Sequence, residues 1–374
     1  MLKYFAFLCL FMTCISSCEN RAKKKAIAAM AAGDSFYTIK EKLQPFKKRF
    51  TDSIEAYFKQ DFSGTVLLYK NGKIFKKAYG YRDFGKKSKM EIDDIFQLAS
   101  VSKTVTGVAT LLLVQDKKIA LEDSVVKYLP DFPYPSVTIR QLLNHRSGLA
   151  NYMYYTDTFW KDTARYMTSP DFYNFMVVHK PKPYLEPNVS FAYCNTNFAI
   201  LAVLIEKVSG IPFHRFVEKR IFLTCGMKNS FYKGFRPERI KSKVLVGRYD
   251  RVDYSGTYYL DGVLGDKSLY SCVEDLFLFH KGLSDGRLIN DSLMVDMQTP
   301  SYKYNVFGGS YGLGFRLANM PNGQWVYHNG WWRGFWTFFW NRFDQKACFV
   351  VLTNNKKSSH IDKVWLGEWL LHAQ

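Results

Sequence analysis

Residues 96 to 115 leave this chain few ways to fold. The stretch Phe96-Gln97-Leu98-Ala99-Ser100-Val101-Ser102-Lys103-Thr104-Val105-Thr106-Gly107-Val108-Ala109-Thr110-Leu111-Leu112-Leu113-Val114-Gln115 runs from a short apolar lead-in into an almost uncharged helical pattern. From Val105 onward it has no bare polar face, so the helix it predicts must be enclosed on most sides. Only a chain with a large core can enclose it, and 374 residues, 47% of them hydrophobic and 17% aromatic, supply one. That composition excludes a disordered protein.

Ser100 and Lys103 are the exceptions in this stretch. At i and i+3 they share one helix face, with Cβ atoms about 5–6 Å apart. A serine hydroxyl is a poor nucleophile until something accepts its proton, and a lysine held in a dry site can lose its charge and take that role. The helix start also offers backbone N–H groups to a developing oxyanion. The plainer reading is an N-cap serine and a surface lysine. S-x-x-K recurs at Ser124/Lys127 and Ser230/Lys233, but only Ser100/Lys103 opens a long buried helix.

The formal net charge of +19 invites a nucleic-acid reading. The charge is scattered, however, and much of it lies in Arg21, Lys23, Lys24, Lys25, Lys40, Lys42, Lys47, Lys48 and Arg49, with no nucleic-acid-binding motif beside it. A basic surface near an anionic membrane or an acidic substrate accounts for it better, and no nucleic-acid partner is expected. Residues 1–18 read as an export signal: Lys3, an apolar run from Tyr4 to Ile15, then small residues before Cys18. Ile15-Ser16-Ser17-Cys18 resembles a bacterial lipobox, which makes Cys18 the lipidation site and places the protein in the cell envelope, anchored to a membrane. Cys194, Cys225, Cys272 and Cys348 have no metal-binding or framework spacing, and one disulfide among them stays open.

Residues 19–50 read as a basic tether leading to a helix over 47–60. Asn71-Gly72 marks the turn of a hairpin, 64–69 with 73–79. Helices are predicted at 138–145, 198–208 and 273–283, the first stopped by Gly148 and the second closed by Ser209-Gly210. The period then changes, giving strands at 311–317, 324–328, 335–342 and 347–353 before a last helix over 361–371. Strands joined by short turns imply an antiparallel sheet completed by the early hairpin, an α+β class. The sheet domain is drawn from 51–135 and 265–374, with 136–264 inserted as a mainly helical domain.

Two further stretches carry chemistry. Tyr193-Cys194-Asn195 precedes the Phe198 helix; a tyrosine next to a cation such as Lys103 can ionise, and Asn195 can donate and accept at once. His328-Asn329-Gly330 ends a strand before Trp331, where a backbone N–H can face an oxyanion and Gly330 lets a substrate approach closely. Two G-x-S-x-G matches, at Ser284 and Ser310, lack the strand–turn–helix context that motif requires.

Ser100-Val101-Ser102-Lys103, Tyr193-Cys194-Asn195 and His328-Asn329-Gly330, in that order, resemble the three motifs of the serine β-lactamase-related family. Thr138 to Leu149, Leu269 to Leu276 and Tyr311 to Phe315 agree with it, and the likeness covers roughly residues 60–355. The resemblance implies a β-lactamase/transpeptidase-like fold and a serine hydrolase working through an acyl-enzyme on a small ester, amide or peptide, without cofactor or metal. It implies Ser100 as nucleophile and Lys103 and Tyr193 in proton transfer. Asn195 would hold substrate, and the Ser100 and Trp331 N–H groups would form the oxyanion hole. The alternatives are a peptidoglycan DD-carboxypeptidase or D-aminopeptidase, and a non-catalytic binding protein retaining the fold. One departure stands out: the family usually carries a lysine where this chain has His328. A neutral histidine offers only a hydrogen bond at pH 7. Carboxylate-bearing substrates are therefore expected to lose to simple esters, with recovery near pH 6 as the histidine gains charge.

Overall fold

The computed structural model describes residue 38 and residues 41–59, 62–249, 252–254, 258–304 and 309–373. The export signal, Cys18 and most of the basic tether lie outside these residues. A nine-stranded sheet carries the architecture, built from β1 (Gln44–Pro45), β2 (Gly64–Lys70), β3 (Lys73–Tyr79), β7 (Lys303–Tyr304), β8 (Gly309–Tyr311), β9 (Arg316–Met320), β10 (Gly323–Trp332), β11 (Phe335–Arg342) and β12 (Ala347–Thr353). Their order is β1-β3-β2-β12-β11-β10-β9-β8-β7, antiparallel throughout except for β1 on β3. Asn71 and Gly72 make the β2–β3 turn with positive φ, as a twist-matched two-residue hairpin requires. The central strands β2 and β12 are buried along almost their whole length, which is why both read as continuous apolar runs rather than alternations.

Each face of the sheet buries its own core. On one face, α1 (Lys48–Lys59) and α10 (Lys363–His372) bring Phe50, Ile54, Phe58, Leu366 and Leu370 against Trp325, Trp340 and Phe349. On the other lie α2 (Ser102–Gln115), α3 (Ile139–Leu143), α4 (Tyr152–Phe159), α5 (Ser169–His179), α6 (Asn195–Ser209), α7 (Phe213–Cys225), α8 (Val273–Ser284) and α9 (Asp291–Gln298). α2 meets α6 and α7, and residues 102–113 are buried without a break, as a helix with no polar face demands. α3 starts on a reciprocal capping box between Thr138 and Gln141, and α6 stops on Gly210 at φ +74°. Between the layers, β4 (Phe96–Gln97), β6 (Leu269–Ser271) and β5 (Phe231–Tyr232) form a small sheet that ties the lead-in to Ser100 to later parts of the chain.

Three local expectations change. The segment 311–317 is not one strand: Gly312 to Phe315 turn between β8 and β9, and the Gly314 backbone packs so tightly on Gly107 of α2 that a side chain on either would crowd the other. The strand expected to end at His328 runs on to Trp332, because Gly330 pairs with Thr337 instead of breaking the ladder. No disulfide joins Cys194, Cys225, Cys272 and Cys348; all four are buried free thiols in separate parts of the core.

Candidate active site

Ser100 sits not in α2 but in the 3-10 turn Ala99–Val101 just before it. Ala99 holds φ +49°, a left-handed conformation that costs an alanine about 1–2 kcal/mol. The surrounding packing sustains it. Leu98 accepts a hydrogen bond from Thr337 Oγ1 at 2.7 Å, and a Cβ built on Gly330 would lie 2.3 Å from Leu98 O and 3.0 Å from Ala99 Cβ. Gly330 is thus required by the protein's own packing against the serine turn.

Lys103 is fully buried, and its ammonium has three acceptors: Asn195 Oδ1 at 2.7 Å, the Asp266 carbonyl at 2.9 Å and Ser100 Oγ at 3.2 Å. Three acceptors match the three N–H bonds that a lysine ammonium offers. Asn195, the first residue of α6, directs its other amide atom, Nδ2, at Met153 Sδ, 2.9 Å away. A thioether is a weak acceptor that a substrate carbonyl can displace.

Tyr193 is partly exposed and flanked by two cations. Lys103 Nζ lies 5.1 Å and the Arg316 guanidinium 5.0 Å from its ring centroid. His145 packs against the ring at 4.3 Å between centroids. The His145 Nδ1 accepts from the Cys194 N–H at 3.1 Å and lies 3.3 Å from Asn197 Nδ2, while Asn197 Oδ1 accepts a hydrogen bond from the Ser147 hydroxyl. Burial first, then the Lys103 and Arg316 charges, holds His145 well below the usual imidazole range, so it is neutral. The Tyr193 backbone and ring are therefore fixed from one side by a histidine that carries no charge.

His328 is packed away rather than presented. It is 1% exposed; Nδ1 donates to the Asn329 carbonyl at 2.7 Å, and Nε2 accepts from the Tyr311 hydroxyl at 3.1 Å. With both nitrogens occupied it offers a substrate nothing. Burial, the Arg316 charge and then the Lys103 charge push its pKa well below 6.5, so the gain of charge expected near pH 6 does not occur. The cation missing from this strand stands on the next one. Arg316, at the start of β9, is partly exposed and close enough to depress both histidines. Nothing in a strand of five residues distinguished it in the sequence.

β9 pairs with β10 only from Gly323 to Tyr327. Beyond His328 the outer edge of β10 has no partner strand among the described residues, and the backbone around Gly330 runs beside the turn that carries Ser100. The Trp331 side chain is 60% exposed, while Trp332 Nε1 is tied to Asp261 Oδ1 at 2.7 Å. Behind Lys103, Asp266 is completely buried with Lys267, whose ammonium meets the Asp266 carboxylate at 3.1 Å and the Tyr152 hydroxyl. This pair had no sequence signal beyond its place before Leu269. Of the two other S-x-x-K serines, Ser124 gives its hydroxyl to Pro135 O and Ser230 gives its own to Asp275. Ser284 ends α8, and Ser310 lies within β8 rather than before a strand. Among the described residues, no group of three His, Cys, Asp or Glu side chains is placed to hold a metal ion.

A family model described as Beta-lactamase matches residues 46–373. Penicillin-binding protein 4* of Bacillus subtilis is 32% identical over 335 residues, covering 84% of this chain and 74% of that protein. A D-aminopeptidase of Cereibacter sphaeroides is 25% identical over 301 residues, covering 79% of this chain and only 57% of its own length. Among solved structures, a penicillin binding protein from Bacillus halodurans superposes with a TM-score of 0.74 at 23% identity, over 85% of this chain and 99% of that one. D-amino acid amidase from Ochrobactrum anthropi gives 0.72 at 22% identity, over 82% and 92%. These neighbours share the fold: an antiparallel sheet between terminal helices on one face and a helical layer on the other.

Proposed function

The chain belongs to the Beta-lactamase family of serine hydrolases, and from that premise we propose that it cleaves a peptide or amide whose leaving group carries a carboxylate. Ser100 Oγ attacks the carbonyl carbon, and the Ser100 and Trp331 N–H groups receive the oxyanion. The serine proton passes to the Tyr193 oxygen and from there to the leaving nitrogen as the C–N bond breaks. A water then attacks the acyl-enzyme by the same route, returning the proton to Ser100. Lys103 aligns Ser100 and Asn195 through its hydrogen bonds to both. Arg316 faces the carboxylate of the leaving group.

One observation carries the reading: Arg316 and Lys103 flank Tyr193 while His328 is buried and neutral. It removes the ground for preferring simple esters, since that preference assumed a cleft without a second cation. The relatives named for penicillin binding, D-aminopeptidase and D-amino acid amidase favour an amide with a D-configured residue. Export and lipidation at Cys18 belong to the same proposal, supported by Ile15-Ser16-Ser17-Cys18 and the basic segment behind it. Such a protein would meet peptide substrates in the cell envelope.

The test is a panel of D-Ala-D-Ala peptides, D-amino acid amides, nitrocefin and aryl esters, run with the native protein and Ser100→Ala. Hydrolysis of carboxylate-bearing amides, an acyl mass on the peptide containing Ser100 and loss of both in Ser100→Ala are expected. Turnover surviving Ser100→Ala, or confined to simple esters, overturns the reading. For the anchor, acyl mass should appear on Cys18 and vanish in Cys18→Ser; an intact Met1 in the mature protein refutes it.

A further inference from the structure

At the far end of the open β10 edge, away from Arg316, lies a cavity of about 190 Å³. Lys233, Arg236 and Arg333 line it, with Asp261 as the one carboxylate and Gln97 and Tyr270 as neutral polar walls. Asp261 is already engaged. It is 3% exposed, accepts from the Trp332 indole and lies 3.8 Å from Arg333 Nε. Among the described residues neither Lys233 nor Arg236 has a carboxylate within ion-pairing distance. The Lys233 ammonium is held between the rings of Tyr166 and Tyr270, at 5.7 and 5.6 Å from their centroids. Tyr270 is fixed in turn by donating to Gln97 Oε1 at 3.2 Å. Three cations facing one committed carboxylate leave the recess with an excess of positive charge, which favours an anion.

Its position relative to the reaction follows from the proton path. Tyr193 delivers a proton to the leaving group, so the leaving group lies at the Tyr193–Arg316 end of the cleft. The acyl part then extends the other way, along Trp331 and Trp332. Arg333 follows Trp332 in the turn between β10 and β11, at φ +42°, and Asp261 of the recess holds the Trp332 indole, so the recess adjoins the end of the strand that carries Trp331. An acyl group that runs along this strand and bears one further substituent is directed toward the recess.

We infer that the recess bounded by Lys233, Arg236 and Arg333 is a subsite for an anionic group on the acyl side of the substrate, a carboxylate borne by a short side chain or N-substituent. This rests on the proposed acyl-transfer reading, and deepens it: the substrate carries acidic groups on both sides of the scissile bond. The three cations contribute differently. Arg333 is fixed by Asp261 and by the Tyr254 carbonyl at 3.5 Å. Lys233 is oriented by its aromatic walls, and exposed Arg236 closes the rim.

The experiment compares N-succinyl- and N-acetyl-D-alanine aryl esters, which differ by one acyl-side carboxylate. The native protein should favour the succinyl ester in kcat/KM by about tenfold at low salt, as expected when charge-assisted hydrogen bonds replace neutral contact. The preference should shrink in 0.5 M salt (~0.5 M shortens the screening length to about 4 Å). The succinyl-to-acetyl ratio should fall toward one in Lys233→Gln/Arg236→Gln, mainly through KM. A native ratio near one, or a ratio unchanged in the double variant, overturns the subsite. Calorimetric titration of Ser100→Ala with N-succinyl- and N-acetyl-D-alanine gives a second reading independent of turnover. Tighter binding of the succinyl compound, lost when Lys233→Gln and Arg236→Gln are added to Ser100→Ala, supports the recess, and equal binding refutes it. Ester hydrolysis that persists in Ser100→Ala would instead refute the catalytic reading, so the two failures are distinguishable.

Discussion

Replacing Arg316 by glutamine tests where this cleft keeps its carboxylate-directed charge. The guanidinium lies 5.0 Å from the Tyr193 ring centroid and 5.9 Å from that of Tyr311, where the proposed reaction places the leaving group. A hydrogen bond to a charged group contributes about 1.5–3 kcal/mol and a neutral one about 0.5–1.5. The exchange should therefore cost roughly 1–1.5 kcal/mol, or about tenfold in kcat/KM. Partial exposure of Arg316 makes that an upper value, because solvent screens its charge. His328 cannot compensate, being buried with both nitrogens engaged. The assay pairs a peptide ending in a free D-Ala-D-Ala carboxylate with the same peptide as its C-terminal amide. Arg316→Gln should slow the first and leave the ratio between them near one, with thermal unfolding confirming that the fold is kept. If both substrates fall alike, Arg316 acts on Tyr193 or on the β9 start, and the carboxylate argument is wrong.

Gly330→Ala would place a Cβ 2.3 Å from both Leu98 O and Thr337 Oγ1, so the serine turn must shift; a loss of about 1–3 kcal/mol in stability and a larger fall in kcat than in KM are expected, and unchanged kinetics would show that the turn tolerates the shift. His328→Lys buries a third cation near Lys103 and Arg316 with no carboxylate partner and should lower Tm instead of improving nitrocefin turnover; a faster, equally stable variant refutes this. The buried histidines 145, 280 and 328 have folded pKa values below the unfolded 6.5, His280 at about 4. Their contribution is therefore present above pH 6.5 and lost as pH falls below it. Asp275 has the opposite sign: burial raises it to about 7, so its contribution is present below about pH 4 and lost as pH rises through 7. Unfolding free energy followed from pH 4 to 8 should rise toward 6.5, and Asp275→Asn should steepen the rise; a flat native profile contradicts both.

Patterns that repeat or punctuate were legible in the sequence. An all-apolar helix had to be enclosed, and residues 102–113 are; Asn71-Gly72 set the β2–β3 turn, and the apolar runs of β2 and β12 became the buried centre of the sheet. The ordered motifs led to residues that the fold gathers: Ser100, Lys103 and Asn195 are within hydrogen-bonding distance, and Tyr193 packs over the Lys103 ammonium. Contacts between distant segments were not legible. Gly330 read as a strand end because a glycine's local signal is to break a strand, and only the approach of Leu98, more than two hundred residues earlier, explains it. Arg316, His145 and the Asp266–Lys267 pair had ordinary local contexts. Their significance comes from what the sheet and helices place beside them.

The third motif illustrates why a single position cannot carry a specificity argument. The charge expected on the β10 strand at residue 328 would have pointed into a site that already holds Lys103. Burial there penalises an unpaired cation severely. The chain instead puts a neutral imidazole at that position, locked by the Asn329 carbonyl and the Tyr311 hydroxyl, and carries its guanidinium on the neighbouring strand, where part of it stays in water. A partly solvated arginine retains its charge, and its planar fork can take a carboxylate in two parallel hydrogen bonds. The same charge transferred one strand over is therefore easier to maintain and better shaped for an acidic leaving group. That logic connects the buried histidine, the absent lysine and the proposed substrate in one arrangement.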